Sequence, residues 1–149
     1  MGSGDFLDSY NAALASQPSR DSNVKMAMKS KIEDTLRFRL KNARARAKSK
    51  GMPCDISMAW AKEKLEKNGY SCEMTRLPFC SNVSESKNSP YSPSLDRIDC
   101  AGGYTKNNVR IVLAGLNIMM LDWGEDVFNH ISSHYHLANS SRTPKKSRE

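Results

Sequence analysis

The chain has 149 residues, which is enough for one domain with a modest hydrophobic core. Its 23 lysines and arginines outnumber its 16 aspartates and glutamates, and the net charge of +7 favours an anionic partner such as nucleic acid over an acidic small molecule. No stretch of 18 residues is apolar, and the start lacks the apolar core of a signal peptide. We therefore expect a soluble, cytoplasmic protein that does not enter a membrane.

The first fifty residues predict two helices. Residues 1–22 are a polar N-terminal extension in which four apolar side chains have the spacing of a short docked helix: Phe6, Leu7, Tyr10 and Leu14. Past Pro18, apolar residues recur every three or four positions, which predicts a long helix that ends near Gly51. The apolar positions of this long helix are Met28, Ile32, Leu36, Leu40, Ala43 and Ala47.

The second half of the long helix is strongly basic. It carries seven cations with no acidic residue between them: Arg37, Arg39, Lys41, Arg44, Arg46, Lys48 and Lys50. Such a run repels itself unless an anion lies nearby, so phosphate contact is favoured over an ordinary solvated face. The expected nucleic-acid-binding residues are Arg37, Lys41, Arg44, Arg46 and Lys48. Arg44, Lys48 and Lys41 share one face and are the first choices.

Residues 23–69 are predicted to form a basic helical region. Asp55 or Ser57 can cap a second helix that ends near Gly69 and places Trp60 in the core. The segments 70–74 and 77–79 then predict a small hairpin or extended pair. Residues 81–92 are rich in serine and predict a loop, for which a surface excursion toward DNA and a tolerated insertion both remain open.

Residues 94–117 predict two strands followed directly by a helix. Alternating apolar residues, the glycine pair at 102–103 and the branched run at 109–112 indicate a hairpin, and helical spacing begins at Leu113. Asp96 on the first strand and Asn117 on the helix offer oxygen atoms that suit a hard divalent cation such as Mg²⁺. Asn108, just before the second strand, can tie the turn to the backbone through hydrogen bonds.

These residues resemble a known family. The ordered blocks LDRID, GGY and NNVR with the helical Asn117 are similar to the HNH motif of the ββα-metal nucleases, in the small phage and bacterial type that has DRID in place of the Asp-His pair. The upstream segments RAKSKGMPCDIS and YSCEMTRLPF are also similar to such proteins, and the resemblance covers about residues 44–128.

The resemblance implies an α+β fold in which a ββα-metal (HNH) motif is flanked by N-terminal basic helices and a C-terminal helix. The nuclease core would span residues 70–138. The implied activity is metal-dependent endonuclease cleavage of double-stranded DNA in a bacterial host cell, with a phage gene as one source. One divalent ion, Mg²⁺ or Mn²⁺, would be held by Asp96 and Asn117, with Asn108 bracing the motif. The oligomeric state is left open.

The pattern departs from the family at Arg97, where the usual motif has a histidine that takes the proton from water. A guanidinium cannot act as a base, so Arg97 is expected to grip the phosphate or stabilise transition-state charge, or alternatively to pair with Asp99 or Asp96. Asp99 is the nearest candidate base. A remote histidine, His130 or His134, and substrate-assisted activation of water are the other options.

Two other classes stay open: a DNA-binding protein whose nuclease site has decayed, and a phage structural or regulatory protein that retains the fold. The four cysteines form no C-x-x-C pair, so buried reduced thiols are preferred over a zinc site. Asp122–Gly124 interrupts the helical pattern, and a terminal helix follows that is expected to pack inward through Val127, Phe128 and Ile131. Residues 139–149 predict a disordered basic tail.

Overall fold

The computed structural model of the protein describes residues 4–15, 22–80 and 89–141. These residues form a mixed α+β fold with five helices and one two-stranded antiparallel sheet. The helices are α1 Gly4–Ala15, α2 Ser22–Lys50, α3 Met58–Lys67, α4 Ala114–Met120 and α5 Gly124–Asn139, and the strands are β1 Pro93–Arg97 and β2 Val109–Leu113. The sequence predicts one domain, whereas the chain divides into two compact units, Met1–Ile118 and Met119–Glu149.

The long helix α2 forms where the apolar spacing predicts it. It buries one stripe of side chains almost completely: Ile32, Leu36, Leu40, Ala43 and Ala47. At its C-terminus Gly51 adopts a φ of +62°, and the Met52 amide donates to the Ala47 carbonyl at 2.9 Å. This left-handed turn satisfies a carbonyl that the helix leaves unpaired, which is why the helix ends here.

The helix α3 begins at a side-chain cap. Ser57 Oγ accepts a hydrogen bond from the Trp60 amide at 3.1 Å, which selects Ser57 over Asp55 as the capping residue. Trp60 is only half-buried, with Lys64 Nζ lying 5.1 Å from its ring centre, so the expectation that it is a core residue is wrong. Beyond the helix, residues 70–80 form one bridge, Ser71 to Pro78, and no regular strand.

The hairpin and α4 follow one another without a linker. Antiparallel pairing places Pro93 opposite Leu113 and Arg97 opposite Val109, and α4 starts at the residue after β2 ends. Val109, Ile111 and Val112 are all buried, and since Ile111 and Val112 point to opposite faces of β2, both faces of this strand are covered within the 1–118 unit. The sequence therefore places the ββα order correctly.

The turn between the strands is held against the segment that precedes α3. The Tyr104 amide donates to the Pro53 carbonyl at 2.9 Å, and the Asp55 amide donates to the Tyr104 carbonyl at 3.2 Å. A Cβ atom on Gly103 would lie 2.3 Å from the Pro53 oxygen, so only glycine permits this close approach.

The first and last helices differ in burial. In α1, Tyr10 is buried and stacks on Tyr91 with ring centres 3.7 Å apart, as a docked helix requires. No residue of α5 is buried, whereas the sequence predicts that Val127, Phe128 and Ile131 pack inward. Residues 81–88 of the predicted 81–92 loop, residues 142–149 of the predicted 139–149 tail and the side chains of Phe6 and Leu14 lie outside the described residues. No helix in the described ranges is long and apolar enough to cross a membrane.

Candidate functional site

The Asp96 carboxylate lies inside an ion pair. The strand register puts Asp96 directly opposite Arg110, and Arg110 Nε donates to Asp96 Oδ2 at 2.6 Å. The two side chains are 7% and 17% exposed, so water screens their attraction only weakly. A cation that approached Asp96 would therefore share the carboxylate with a guanidinium that is already in place.

The Asn117 side chain lies against the outer edge of β1. Its Nδ2 donates to Ser94 Oγ at 2.9 Å and to the Leu95 carbonyl at 3.2 Å. That carbonyl points away from β2, because the neighbouring ladder bonds use Ser92 and Ile98 and the pattern alternates along an antiparallel strand. Both amide protons are thus directed at β1, which leaves the Asn117 Oδ1 atom to act as an acceptor or ligand.

Arg97 is engaged with the turn and not with either aspartate. Its Nη1 donates to the Gly102 carbonyl at 2.9 Å and lies 3.6 Å from the Met52 sulfur, and its guanidinium lies 5.2 Å from the centre of the Tyr104 ring. Among the described residues it makes no ion pair, so the expected alternative of a salt bridge to Asp99 or Asp96 is wrong. These contacts hold the turn closed.

Asn108 and Asp99 close the same turn. Asn108 Oδ1 accepts from the Asp99 amide at 2.9 Å, and Asn108 Nδ2 donates to the carbonyls of Asp99 and Gly103 at 3.0 and 2.9 Å. Asp99 Oδ1 accepts from the Ala101 amide at 2.9 Å, in the pattern of an Asx turn. Asp99 lies beyond the end of β1 and is exposed to solvent.

A cavity of about 240 Å³ opens between α2 and the outer edge of β1. Its walls contain two arginines and no acidic residue. The lining residues are Arg39, Asn42, Ala43, Arg46, Ser94, Leu95, Tyr104, Ala114, Asn117 and Ile118. Asn117 therefore faces this cavity, whereas Asp96 and Arg97 do not line it.

The basic residues of α2 have separate environments. Arg37 pairs with Asp34 on the surface, Arg44 Nη2 donates to the Ile56 carbonyl at 3.1 Å, and Arg46 Nη1 donates to the Tyr104 hydroxyl at 3.1 Å. Lys41 and Lys48 are exposed. Of the five predicted nucleic-acid-binding residues, only Arg46 lines the cavity.

The residue that the prediction omits is Arg39. It lines the cavity, and its Nε is buried with no hydrogen-bond partner in the part of the chain that the structure describes. A signal was available, since positions 39, 42, 43 and 46 have the i, i+3, i+4, i+7 spacing of a single helix face. The prediction favours the more exposed face of Lys41, Arg44 and Lys48 instead.

Asp96 and Asn117 offer oxygen ligands of the kind that hard cations prefer. Asp96 offers a carboxylate and Asn117 an amide oxygen, which are ligands that Mg²⁺ accepts when water and substrate phosphate complete its shell. No group of three His, Cys, Asp or Glu side chains that could hold a metal is found among residues 4–15, 22–80 and 89–141. His130 and His134 have ring centres 4.4 Å apart, and His134 Nδ1 lies 2.8 Å from the His130 carbonyl.

The chain matches no protein-family model, no curated protein and no solved structure at a significant level.

Proposed function

We propose that the protein is a metal-dependent endonuclease of HNH type that hydrolyses phosphodiester bonds in double-stranded DNA. The observation that supports this most directly is the position of Asn117. Its amide is fixed on the strand that carries Asp96 and faces a cavity with two arginines and no acidic residue. A helix amide, a strand carboxylate and a basic cleft are the parts that such a reaction needs.

Asp96 and Asn117 would hold one divalent ion, Mg²⁺ or Mn²⁺. When bound, the ion supplies positive charge beside the scissile phosphate and the departing oxygen. Arg110 fixes the position of the Asp96 carboxylate through a charged hydrogen bond, and the hydrogen bonds to β1 fix the Asn117 amide. Asp99 is the proposed proton acceptor because its carboxylate is exposed and lies two residues beyond the end of β1.

A second function is favoured by one observation. Asp96 is neutralised by Arg110, and Arg97 is engaged with Gly102 and Tyr104, so the structure is also consistent with a protein that binds DNA without cutting it. One experiment distinguishes the two functions. Supercoiled plasmid is incubated with the purified protein in Mg²⁺, in Mn²⁺ and in EDTA.

We expect nicking or linearisation in Mg²⁺ or Mn²⁺ and none in EDTA. Asp96→Asn should abolish cleavage, but this change also breaks the buried ion pair with Arg110, which typically costs about 3–5 kcal/mol. The double variant Asp96→Asn/Arg110→Gln removes both charges and is the matched control. A double variant that is stable and inactive supports Asp96 as a metal ligand, whereas one that is stable and fully active refutes it.

A further inference from the structure

We propose that the cavity between α2 and the outer edge of β1 binds one phosphodiester group of the nucleic-acid backbone, and that Arg39 is its main binding residue. The identity of the ligand rests on the proposed function. The site itself rests on the cavity, its charge and the unsatisfied arginine.

The Arg39 guanidinium has a donor without an acceptor. Its Nε is buried with no hydrogen-bond partner, and no ion pair within the described residues involves this arginine. A buried donor without a partner destabilises a protein, so native structures rarely leave one without a reason. A guanidinium offers five donors in a planar fork that matches the oxygens of a phosphate, so Arg39 gives the cavity the side chain that best binds such an anion.

The other polar residues of the cavity favour an anion over a cation. Arg46 is anchored through Nη1 to the Tyr104 hydroxyl at 3.1 Å and lines the same cavity as Arg39. Asn42 lies between the two arginines on the same face of α2, and Asn117 forms the opposite wall. With no carboxylate in the lining, the two positive charges are uncompensated within the cavity.

The size of the cavity limits what can enter. At about 240 Å³ it is smaller than the pockets of roughly 300–1,000 Å³ that enclose drug-sized ligands. A phosphate with part of its sugar fits such a space, whereas a stacked base pair does not. The contact would therefore position the backbone without reading sequence.

The test measures binding separately from cleavage. A fluorescein-labelled short DNA duplex is titrated with the full chain in EDTA at several KCl concentrations, with Arg39→Gln as the variant. The matched control is Arg76→Gln, which removes the same charge from an exposed arginine whose hydrogen bond goes to Asn68 and which does not line the cavity. We expect Arg39→Gln to weaken binding about tenfold or more and to make the log-affinity against log-salt slope shallower by about one. Arg76→Gln should change the affinity much less.

A folded Arg39→Gln protein with parental affinity and slope would overturn the proposal. Should Arg39→Gln fail to fold, Asn42→Asp places an acid in the cavity without removing an arginine, and parental binding by that variant would overturn it equally. Inorganic phosphate, compared with sulfate as a competitor at constant ionic strength, separates the two sources of phosphate. If phosphate displaces the duplex and sulfate does not, the cavity is a site for free phosphate and the proposal is overturned.

The two proposals can fail separately. If the parent protein binds DNA through Arg39 but never cuts plasmid in Mg²⁺ or Mn²⁺, the endonuclease function fails and the cavity assignment stands. If the parent cuts plasmid and Arg39→Gln binds the duplex normally, the cavity assignment fails and the function stands.

Discussion

At the scale of single residues, two arginines near the site act differently from what their sequence positions predict. Arg110 belongs to the NNVR block, which gives it no role, yet it is the ion-pair partner of Asp96 in a cross-strand pair. Arg97 occupies the position where the proposed HNH motif would have a histidine base, yet its guanidinium contacts Gly102 and the Tyr104 ring. The structure thus indicates that Arg97 stabilises the turn.

Arg97→Ala should therefore lower stability more than it lowers cleavage. It removes a hydrogen bond to Gly102 and a cation–π contact with Tyr104, together worth about 1–2 kcal/mol. For a chain of this length we expect a fall in Tm of about 2–8 °C. The single-turnover rate of the folded fraction should stay near that of the parent.

The control for this prediction is Ile98→Ala, which alters an exposed neighbour in the same turn and should leave both quantities nearly unchanged. An Arg97→Ala protein that is fully stable and about a hundredfold slower would show instead that the guanidinium stabilises the transition state. The single-turnover rate of Arg97→His, measured in the same assay, tests whether a histidine at this position acts as a base.

At the scale of elements, α2 presents three surfaces with different roles. One buries the apolar stripe, one lines the cavity with Arg39 and Arg46, and one exposes Lys41 and Lys48 to solvent. Arg44 also joins α2 to the segment before α3 through the Ile56 carbonyl. The cations of α2 therefore differ in character, because some contact the rest of the protein, some line the cavity and some are exposed to solvent.

Arg44→Ala and Lys48→Ala should separate these characters. Lys48 is exposed, so its loss should leave Tm unchanged and make the salt dependence of DNA binding shallower by about one per lost phosphate contact. Arg44→Ala also removes the hydrogen bond to Ile56, and we expect destabilisation of about 1 kcal/mol. Thermal unfolding and duplex titration of both variants provide the measurement. An unchanged salt slope for Lys48→Ala would assign that face to ordinary solvent exposure.

At the scale of the whole molecule, the charge of +7 and a pI of about 9.3 favour association with nucleic acid through its backbone. The cavity adds a place for one phosphate, and its volume of about 240 Å³ is too small for a base pair, so we do not expect it to read base edges. Binding and cleavage are thus expected to depend on different variables, salt for the first and divalent cation for the second.

We expect the affinities for two duplexes of unrelated sequence to agree within a few-fold, and the logarithm of each affinity to fall linearly with the logarithm of salt concentration. EDTA should not weaken this binding, because Arg39, Arg46 and the exposed lysines carry it without a metal. Fluorescence titrations of both duplexes in EDTA and in Ca²⁺ make the comparison. A preference of a hundredfold or more for one sequence would contradict the expectation and require base contacts.

The sequence by itself determined the elements of this protein. The apolar spacing of α2, its end at Gly51, a cap of α3 at Asp55 or Ser57 and the β1–β2–α4 order all follow from interactions between residues close together in the chain. Those interactions depend on periodicity and on backbone preference, which are readable in the printed letters. The local sequence pattern also predicts Asp96, Asn108 and Asn117 as candidate site residues.

Only the tertiary structure decided which side chains meet. The Asp96–Arg110 pair depends on the strand register, the role of Arg97 depends on where Tyr104 lies, and the cavity at Arg39 depends on how α2 lies beside β1. Each of these contacts joins residues more than five positions apart or several elements at once, so local propensity does not specify it. The prediction that α5 packs inward is wrong for the same reason. An apolar pattern shows that a helix has an apolar face but not which surface covers that face.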